Sequence, residues 1–588
     1  MATTRNIKNI YDFVEQEIKD YKDPKGIELE NGWNWSMKRH LRLSYLYLNG
    51  QFDEENENRD ERPNKNIVLP IINVHYRTEG FDVKDITLYV DNPDEYFKSL
   101  LINKFHTKWA LKNQIDTFID EMVTSYCTYG GTLVKNKEEI KPEVVNLRAL
   151  AFCNQTNILD YPFAIKHVYS PSKLRKVNKK WGKSENGATI DIESLIALVE
   201  KEEKKEIEVY EVHGLLPVEW LGENENYDEE ESKDVEQIQI ISFFKKEGYN
   251  QQGVTLFKHK EPKLPFKFLS RDKIEGRALG RGGVEELFEG QIWSNWNEIK
   301  ITELLSGAAK TLHWTDDPTL KSKNNLSNVE NNEILILQQG KQLQQINNFP
   351  RNLAIFNDAV IRWQDHLQRT GAASEALLGD TPSAGTPFKL FEAKNLEDKS
   401  LHRYRQGHLA VFMDEIYRDW TLPHLAGEIT NEQTFMEELS VDEMQQVVDS
   451  VMNKKTNQFK INMILALQEV DEEVVNDYRE QIKADVLKKG NKRFFKIFKD
   501  EMKDISLSVM TNIAGKQKDL ALLTDKVVSV LRQYISTPQL RADPEMTKLL
   551  NVILESSGLS PIMFGARESR QGIGPTGQER GSTESLAS

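Results

Sequence analysis

Apolar residues recur with a helical rhythm at the start of the chain. Ile7, Ile10, Phe13, Val14 and Ile18 fall at 3–4 spacing, the mark of a helix with one buried face. A tryptophan patch follows at Trp33 and Trp35, and the charged run Asp53–Arg62 predicts a loop. Branched residues crowd Ile67–Val74 and Asp85–Val90, which predicts two strands. Asp94–Tyr126 reads as one long amphipathic helix, with Phe97, Leu101, Phe105, Leu111, Ile115, Phe118 and Met122 near one face. From about 131 to 275 the pattern turns to β. Predicted strands are Thr132–Lys135, Val144–Leu147, Phe163–Tyr169, Ile207–Val212, Ile238–Phe244 and Gly253–Phe257. The acidic insert Glu223–Glu236 and the basic run Lys173, Arg175, Lys176, Lys179, Lys180 and Lys183 predict solvated loops.

Gly276, Gly280, Gly282 and Gly283 close the β-rich region. A helix over 284–311 follows. Its apolar residues, Leu287, Phe288, Ile292, Trp293, Trp296, Ile299, Ile301, Leu304 and Leu305 among them, point in several directions, so it is expected to be covered on more than one side. The polar segment 312–350 holds a predicted β pair, Glu333–Leu337 with Gln342–Ile346, across a turn at Gly340. Pro350 then opens a second helix, 351–370. Leu353, Phe356, Val360, Trp363 and Leu367 form one face of it; Asp358, Arg362, Asp365 and Arg369 form the opposite one. Asp358–Arg362 and Asp365–Arg369 are i,i+4 opposite-charge pairs, each stabilising by about 0.2–0.5 kcal/mol. One face packs and the other meets water.

Residues 371–387 carry three Gly and two Pro, long for a helix–helix connection and therefore a candidate functional loop. A long helix is predicted from Phe388 to Trp420, with Leu401, Tyr404, His408, Phe412 and Ile416 in phase, spanning roughly 50 Å before Pro423 ends it. Residues 432–556 read as helical, with a basic cluster at Lys488, Lys489, Lys492, Arg493, Lys496 and Lys499 whose bland reading is a solvated helix face. The tail 565–588 has almost no apolar content and is expected to be disordered.

Composition narrows the function classes. The chain has 588 residues with 39% hydrophobic and 29% charged, so it leans polar but carries enough large apolar groups for a sizeable core. No run approaches 18 apolar residues, the N-terminus lacks an apolar leader, and no membrane partner is expected. Two cysteines, Cys127 and Cys153, exclude a disulfide framework. The net charge of −15 argues against a protein that coats duplex DNA.

Catalytic signatures are missing. There is no G-x-x-x-x-G-K-[ST], H-E-x-x-H or G-x-S-x-G, and the Gly280–Gly283 cluster reads as a turn before a helix. His402 and His408 are six apart, off a shared face, and read as packing or surface groups. The acidic run from Asp471 has Val475 and Asn476 where a calcium loop needs a ligand and a glycine. No enzyme activity, catalytic residue, metal or cofactor is expected.

The order of these elements resembles the portal, or head–tail connector, proteins of tailed bacteriophages, most of all those of short-tailed phages. Leu279-Gly280-Arg281-Gly282-Gly283-Val284-Glu285-Glu286 is similar to their Gly-Arg-x-x-x-Glu-Glu lead into the first stem helix. Gln368-Arg369-Thr370-Gly371 resembles the end of their second stem helix, and Leu396, Glu397 and Asp398 resemble the helix after their channel loop. The likeness covers about 150 residues, from 276 to 425, mostly as order and spacing.

The resemblance implies an α+β, mainly helical, portal-type fold. Residues 1–283 would form a wing, 284–311 and 351–370 the stem helices, 312–350 a clip, 371–387 a channel loop, 388–431 a long wing helix and 432–564 a helical crown. In that reading the clip presents Lys321, Lys323, Glu333, Gln338, Lys341 and Gln344. The channel loop presents Gly371, Ser374, Leu378, Gly379, Thr381, Ser383, Gly385 and Thr386. The implied partners are sister copies in a ring of twelve, double-stranded DNA, a terminase motor, tail adaptors and the major capsid protein. The implied place is a capsid vertex of the virion, assembled in the host cytoplasm. Twelve copies would carry a formal charge of about −180, suited to letting DNA slide. Two other readings compete: a different capsid or scaffold protein, and a nucleic-acid-processing enzyme without a recognisable nucleotide-hydrolysis motif.

Overall fold

Antiparallel pairing organises the first half of the chain. In this computed structural model the residues described are 9–22, 27–30, 33–50, 65–90, 96–136, 142–151, 156–179, 181, 192–201, 205–221, 234–243, 253–261, 263–309, 312–318, 337–346, 353–373, 375–379, 388–429, 452, 455–457, 459–465, 471–488 and 507–511. The strands are β1 (Ile27–Glu30), β2 (Trp33–Trp35), β3 (Ile86–Val90), β4 (Gly131–Lys135), β5 (Glu143–Val144), β6 (Leu150–Ala151), β7 (Phe163–Tyr169), β8 (Ile207–Pro217), β9 (Asp234–Ser242), β10 (Val254–Lys260), β11 (Phe266–Ser270), β12 (Leu312–Thr315), β13 (Leu343–Ile346) and β14 (Leu507–Thr511). The helices are α1 (Ile10–Lys22), α2 (Met37–Leu48), α3 (Val68–Glu79), α4 (Tyr96–Lys112), α5 (Ile115–Tyr129), α6 (Pro171–Asn178), α7 (Ile192–Lys201), α8 (Gly283–Ala308), α9 (Leu353–Thr370), α10 (Glu375–Leu378), α11 (Phe388–Ile416), α12 (Leu422–Ile429) and α13 (Glu472–Lys488). The protein is α+β and mainly helical.

The largest sheet has the order β10-β9-β8-β7-β6, all antiparallel. Strand β8 shows why it is covered on both faces. Ile207 and Val209 join a cluster with Leu174, Leu195 and Val199 of α6 and α7, whereas Tyr210, Val212 and Leu216 join Phe13 and Val14 of α1. Side chains of a strand alternate between faces, so the two helical layers lie on opposite sides. A three-stranded sheet, β11-β4-β5, meets the end of the first sheet through Leu133, Phe163, Ile165 and Phe266.

A second core gathers α4, α5, β3, α11 and α12 around Phe118, Met122, Tyr126, Phe412 and Tyr417. A third joins α3, α8 and α9 through Ile71, Ile72, Val284, Leu287 and Leu367. Among the described residues no helix is long and apolar enough to cross a membrane, and no group of three or more His, Cys, Asp or Glu is placed to hold a metal ion.

Several sequence expectations change. Ile67–Val74 lies in helix α3 rather than a strand: Val68, Ile71, Ile72, His75 and Glu79 are all buried at helical spacing, and a short apolar run does not by itself separate helix from strand. The helix expected over Asp94–Tyr126 breaks at Gln114, whose φ of 55° is left-handed. The expected strand Val144–Leu147 is cut short, because Leu147–Ala149 winds into a 3-10 turn capped by the Asn146 side chain. The basic run starts as helix α6, with Pro171 in its first turn and Ser170 accepting from the Lys173 amide. Strand β13 pairs with β12, Leu312↔Ile346 to Thr315↔Leu343; of the expected partner, Leu337 is not in a strand and 333–336 lie outside the described residues. Pro423 does not end the long helix. A π turn at Tyr417–Thr421 shifts its phase, and Pro423 falls in the first turn of α12, where no amide is needed. The region expected to be wholly helical contains β14, which pairs with β3.

Candidate functional site

Helices α8 and α9 stand side by side. Gly290 faces Leu367, and further along α8 the Trp296 ring meets Phe356 at 6.5 Å. Residue numbers rise on one helix as they fall on the other, so the pair is antiparallel. Gly290 permits the close approach: a Cβ there would lie 2.4 Å from Leu367 Cδ2. On α9 the packed face is Leu353, Phe356, Val360, Trp363 and Leu367, as the periodicity requires, while Asp358, Arg362, Asp365 and Arg369 are exposed. Arg362 and Asp358 form an ion pair; Asp365 and Arg369 form none among the described residues. Ile355, Asp358, Ala359, Arg362, Trp363 and His366 line a shallow concavity on this helix.

The tip beyond the pair is the β12–β13 ribbon. Two aspartates tie its far end. Asp317 Oδ2 accepts from the Gln338 amide (2.9 Å), Asp316 Oδ1 accepts from the Gln342 amide (2.9 Å), and Lys341 lies 3.6 Å from Asp316. Gln344 donates to Gln342 Oε1 at 3.2 Å. Lys321, Lys323 and Glu333 lie outside the described residues.

The candidate loop departs from a built root. Gly371 and Ala373 are buried, and Leu377 and Leu378 in the short helix α10 pack on the α3–α8–α9 core. Gly379 is exposed with open space around it. Ser374, Thr381, Ser383, Gly385 and Thr386 lie outside the described residues. The expectation of a loop from 371 onward is therefore corrected over its first turn, which is pinned to the core.

What pins it is a buried cluster of charged groups. Helix α3 places His75 and Glu79 four residues apart on one face, and α11 places His402 and Arg405 three apart. Arg271 follows β11 with no side-chain exposure, and Glu286 comes from the first turn of α8. Glu79 Oε1 accepts from Arg271 Nη2 at 3.0 Å and from His402 Nδ1 at 3.1 Å, while the Cys127 thiol donates to Oε2 at 3.3 Å. Arg405 donates to Glu286 at 3.0 Å and also pairs with Asp272. His75 Nε2 meets the Gly371 carbonyl at 2.7 Å, and His402 Nε2 meets the Ala372 carbonyl at 3.0 Å.

Electrostatics follow from burial and partners. Burial would raise the Glu79 carboxyl, but Arg271, His402, His75 and Arg405 outweigh it and hold it well below the carboxylate range. Burial drives His75 down to about 3. It is therefore neutral: Nδ1 accepts from Arg271 at 3.2 Å, and Nε2–H donates to Gly371. Burial also raises Cys127 and, against Arg271 and Arg405, Glu286. The Gly turn locks the cluster from outside. The amides of Arg271 and Gly280 both donate to the Gly130 carbonyl at 2.9 Å.

A second buried cluster sits where the two sheets meet. His213 lies between Glu211 (3.0 Å) and Glu261 (2.9 Å); Glu211 also accepts from His167 and Lys135. Both nitrogens of His213 face carboxylates. Burial lowers its affinity for a proton, yet these hydrogen bonds prevail and raise it.

Sequence reasoning missed both clusters. His402 was read as a packing or surface group; it is buried in the first of them. The available signal was phase: His75, Glu79, His402 and Arg405 occupy core positions of otherwise apolar helix faces. In the proposed basic cluster, Lys488 ends helix α13, and Lys489, Lys492, Arg493, Lys496 and Lys499 lie outside the described residues, as do the tail and residues 223–233 of the acidic insert; its end, Asp234–Glu236, opens strand β9 instead of a solvated loop, with Val235 buried. No protein-family model and no curated protein matches the chain.

Proposed function

We propose that this chain is a portal-type connector. In this reading about twelve copies close into a ring at one capsid vertex of a tailed phage. The ring is a passive conduit for double-stranded DNA during packaging and ejection. It docks a terminase motor, which hydrolyses ATP, and afterwards the tail adaptors, while its rim meets the major capsid protein.

One observation carries the reading. The antiparallel α8–α9 pair, with its β tip, keeps large apolar side chains at its surface after the two helices have packed: Trp293 is 43% exposed, Trp296 45%, Ile361 55% and Ile355 67%. A lone two-helix projection buries its apolar stripe and leaves polar groups outside. Apolar groups on several sides of a projection mark surfaces that neighbours cover, and a ring covers both flanks of every copy. The exposed Asp358, Arg362, Asp365 and Arg369 then supply a hydrated, mixed-charge strip that does not grip phosphates.

Negative-stain micrographs of the purified chain test this directly. Rings with an axial opening are expected. Only monomers at micromolar concentration, with and without the capsid protein, would remove the reading.

A further inference from the structure

The geometry points to one seam between copies of this chain: Ile361 of one copy seats in the concavity on helix α9 of the next. This seam presupposes the connector reading and names the surfaces that meet in it.

Leu367 packs against Gly290 of α8, and Val360, seven positions earlier and in the same phase, is buried with it. Successive residues of a helix turn by about 100°. Ala359 and Ile361, the two neighbours of Val360, therefore look out on opposite sides of the α8–α9 pair. On the Ala359 side lies the concavity, lined by Ile355, Ala359, Trp363 and His366 with Asp358 and Arg362 at its outer edge. Trp296 meets Phe356 at 6.5 Å, three positions from Ala359. The exposed Trp293–Trp296 pair, whose rings lie 6.0 Å apart, thus extends the same apolar flank. On the other side Ile361 stands out, 55% exposed. One flank of the pair is a hollow and the other a knob.

Their levels agree. At about 1.5 Å per residue, Ile361 and Ala359 differ in height along α9 by about 3 Å. Copies related by rotation about an axis parallel to α9 keep the same height, so a knob on one flank reaches only a hollow at its own level on the other. Repeating that contact closes a ring, whereas a mismatch in level would climb into a filament. Charge agrees with shape. Asp365 lies one turn beyond Ile361 on the knob side, exposed and without an ion pair among the described residues. Its level falls between Arg362 and His366 on the hollow side. The seam brings its carboxylate to the Arg362 guanidinium, whose partner within the chain is Asp358. Shape, level and charge match on two sides of a single helix, which selects a second copy over an unrelated partner. A two-fold dimer that pairs Ile361 with Ile361 leaves the hollow of both copies empty.

Cysteine cross-linking of the full-length chain tests the seam. Ile361→Cys combined with Ala359→Cys should give, on mild oxidation at micromolar concentration, a ladder of covalent oligomers that continues past the dimer. Either substitution alone, like the wild type, should give none. Ile361→Asp alters a side chain that is exposed in the single copy, so its melting midpoint should stay at the wild-type value while each contact weakens about tenfold. Mass photometry of the unoxidised samples separates two kinds of failure. Assemblies that yield no ladder, assemblies that form as readily with Ile361→Asp, or a cross-linked dimer from Ile361→Cys alone would overturn this seam and leave the connector reading standing. Monomers throughout, with and without the capsid protein, would remove both.

Discussion

Neutralising Glu79 is the sharpest probe of the buried cluster. Two guanidinium cations, Arg271 and Arg405, meet three carboxylates (Glu79, Glu286, Asp272), and Glu79 Oε1 lies within reach of both guanidiniums and of the His402 ring. Glu79→Gln keeps the shape and removes one negative charge from a site with no solvent exposure. Its oxygen can still accept one bond, but Arg271 and His402 now compete for it, and the fully buried Arg271 guanidinium loses its nearest carboxylate, keeping only Glu286 at 3.7 Å. Breaking a buried pair from one side typically costs about 3–5 kcal/mol. For a cooperative unit of a few hundred residues that lowers the melting midpoint by roughly 6–20 °C. Calorimetry at neutral pH reads the shift. The pH dependence has a definite sign. The proton affinity of Glu79 is depressed, so its contribution is complete above the ordinary value of 4.5 and is lost as pH falls below it. A midpoint shift under about 2 °C, or the same acid sensitivity in wild type and Glu79→Gln, would refute the account.

Gly280→Ala should block closure of the turn over Arg271, because its Cβ would lie 1.3 Å from the Arg271 carbonyl oxygen. A cost of at least about 4 kcal/mol is expected, read as lost soluble yield, and a wild-type melting curve would contradict it. For His213 the sign is opposite to that of Glu79. Its proton affinity is raised, so its stabilisation is complete below 6.5 and is lost as pH climbs through the raised value. His213→Gln should therefore be less stable than wild type in mild acid and should lack the wild-type alkaline decline; parallel stability curves would reject this.

Periodicity alone determined much of this protein. The strand Phe163–Tyr169, the packed and exposed faces of α9, and the unstriped helix α8 follow from the spacing of apolar side chains, which solvent exposure must obey wherever a helix or strand has one wet face. Ile67–Val74 escaped that reasoning because its exposed side carries Leu69 and Pro70 along with Asn73, so a mostly apolar run showed little period although its burial is helical. The partner of β13 also had to come from the tertiary structure, since strand pairing depends on which edge is available and not on the strand's own residues. So did the charged cluster under the loop root. Glu79, Arg271, Glu286 and His402 are separated by up to hundreds of positions, and each alone reads as an ordinary polar residue. Only the packing of α3, α8 and α11 around the glycine turn excludes water from all four at once, and that exclusion is what makes their charges matter.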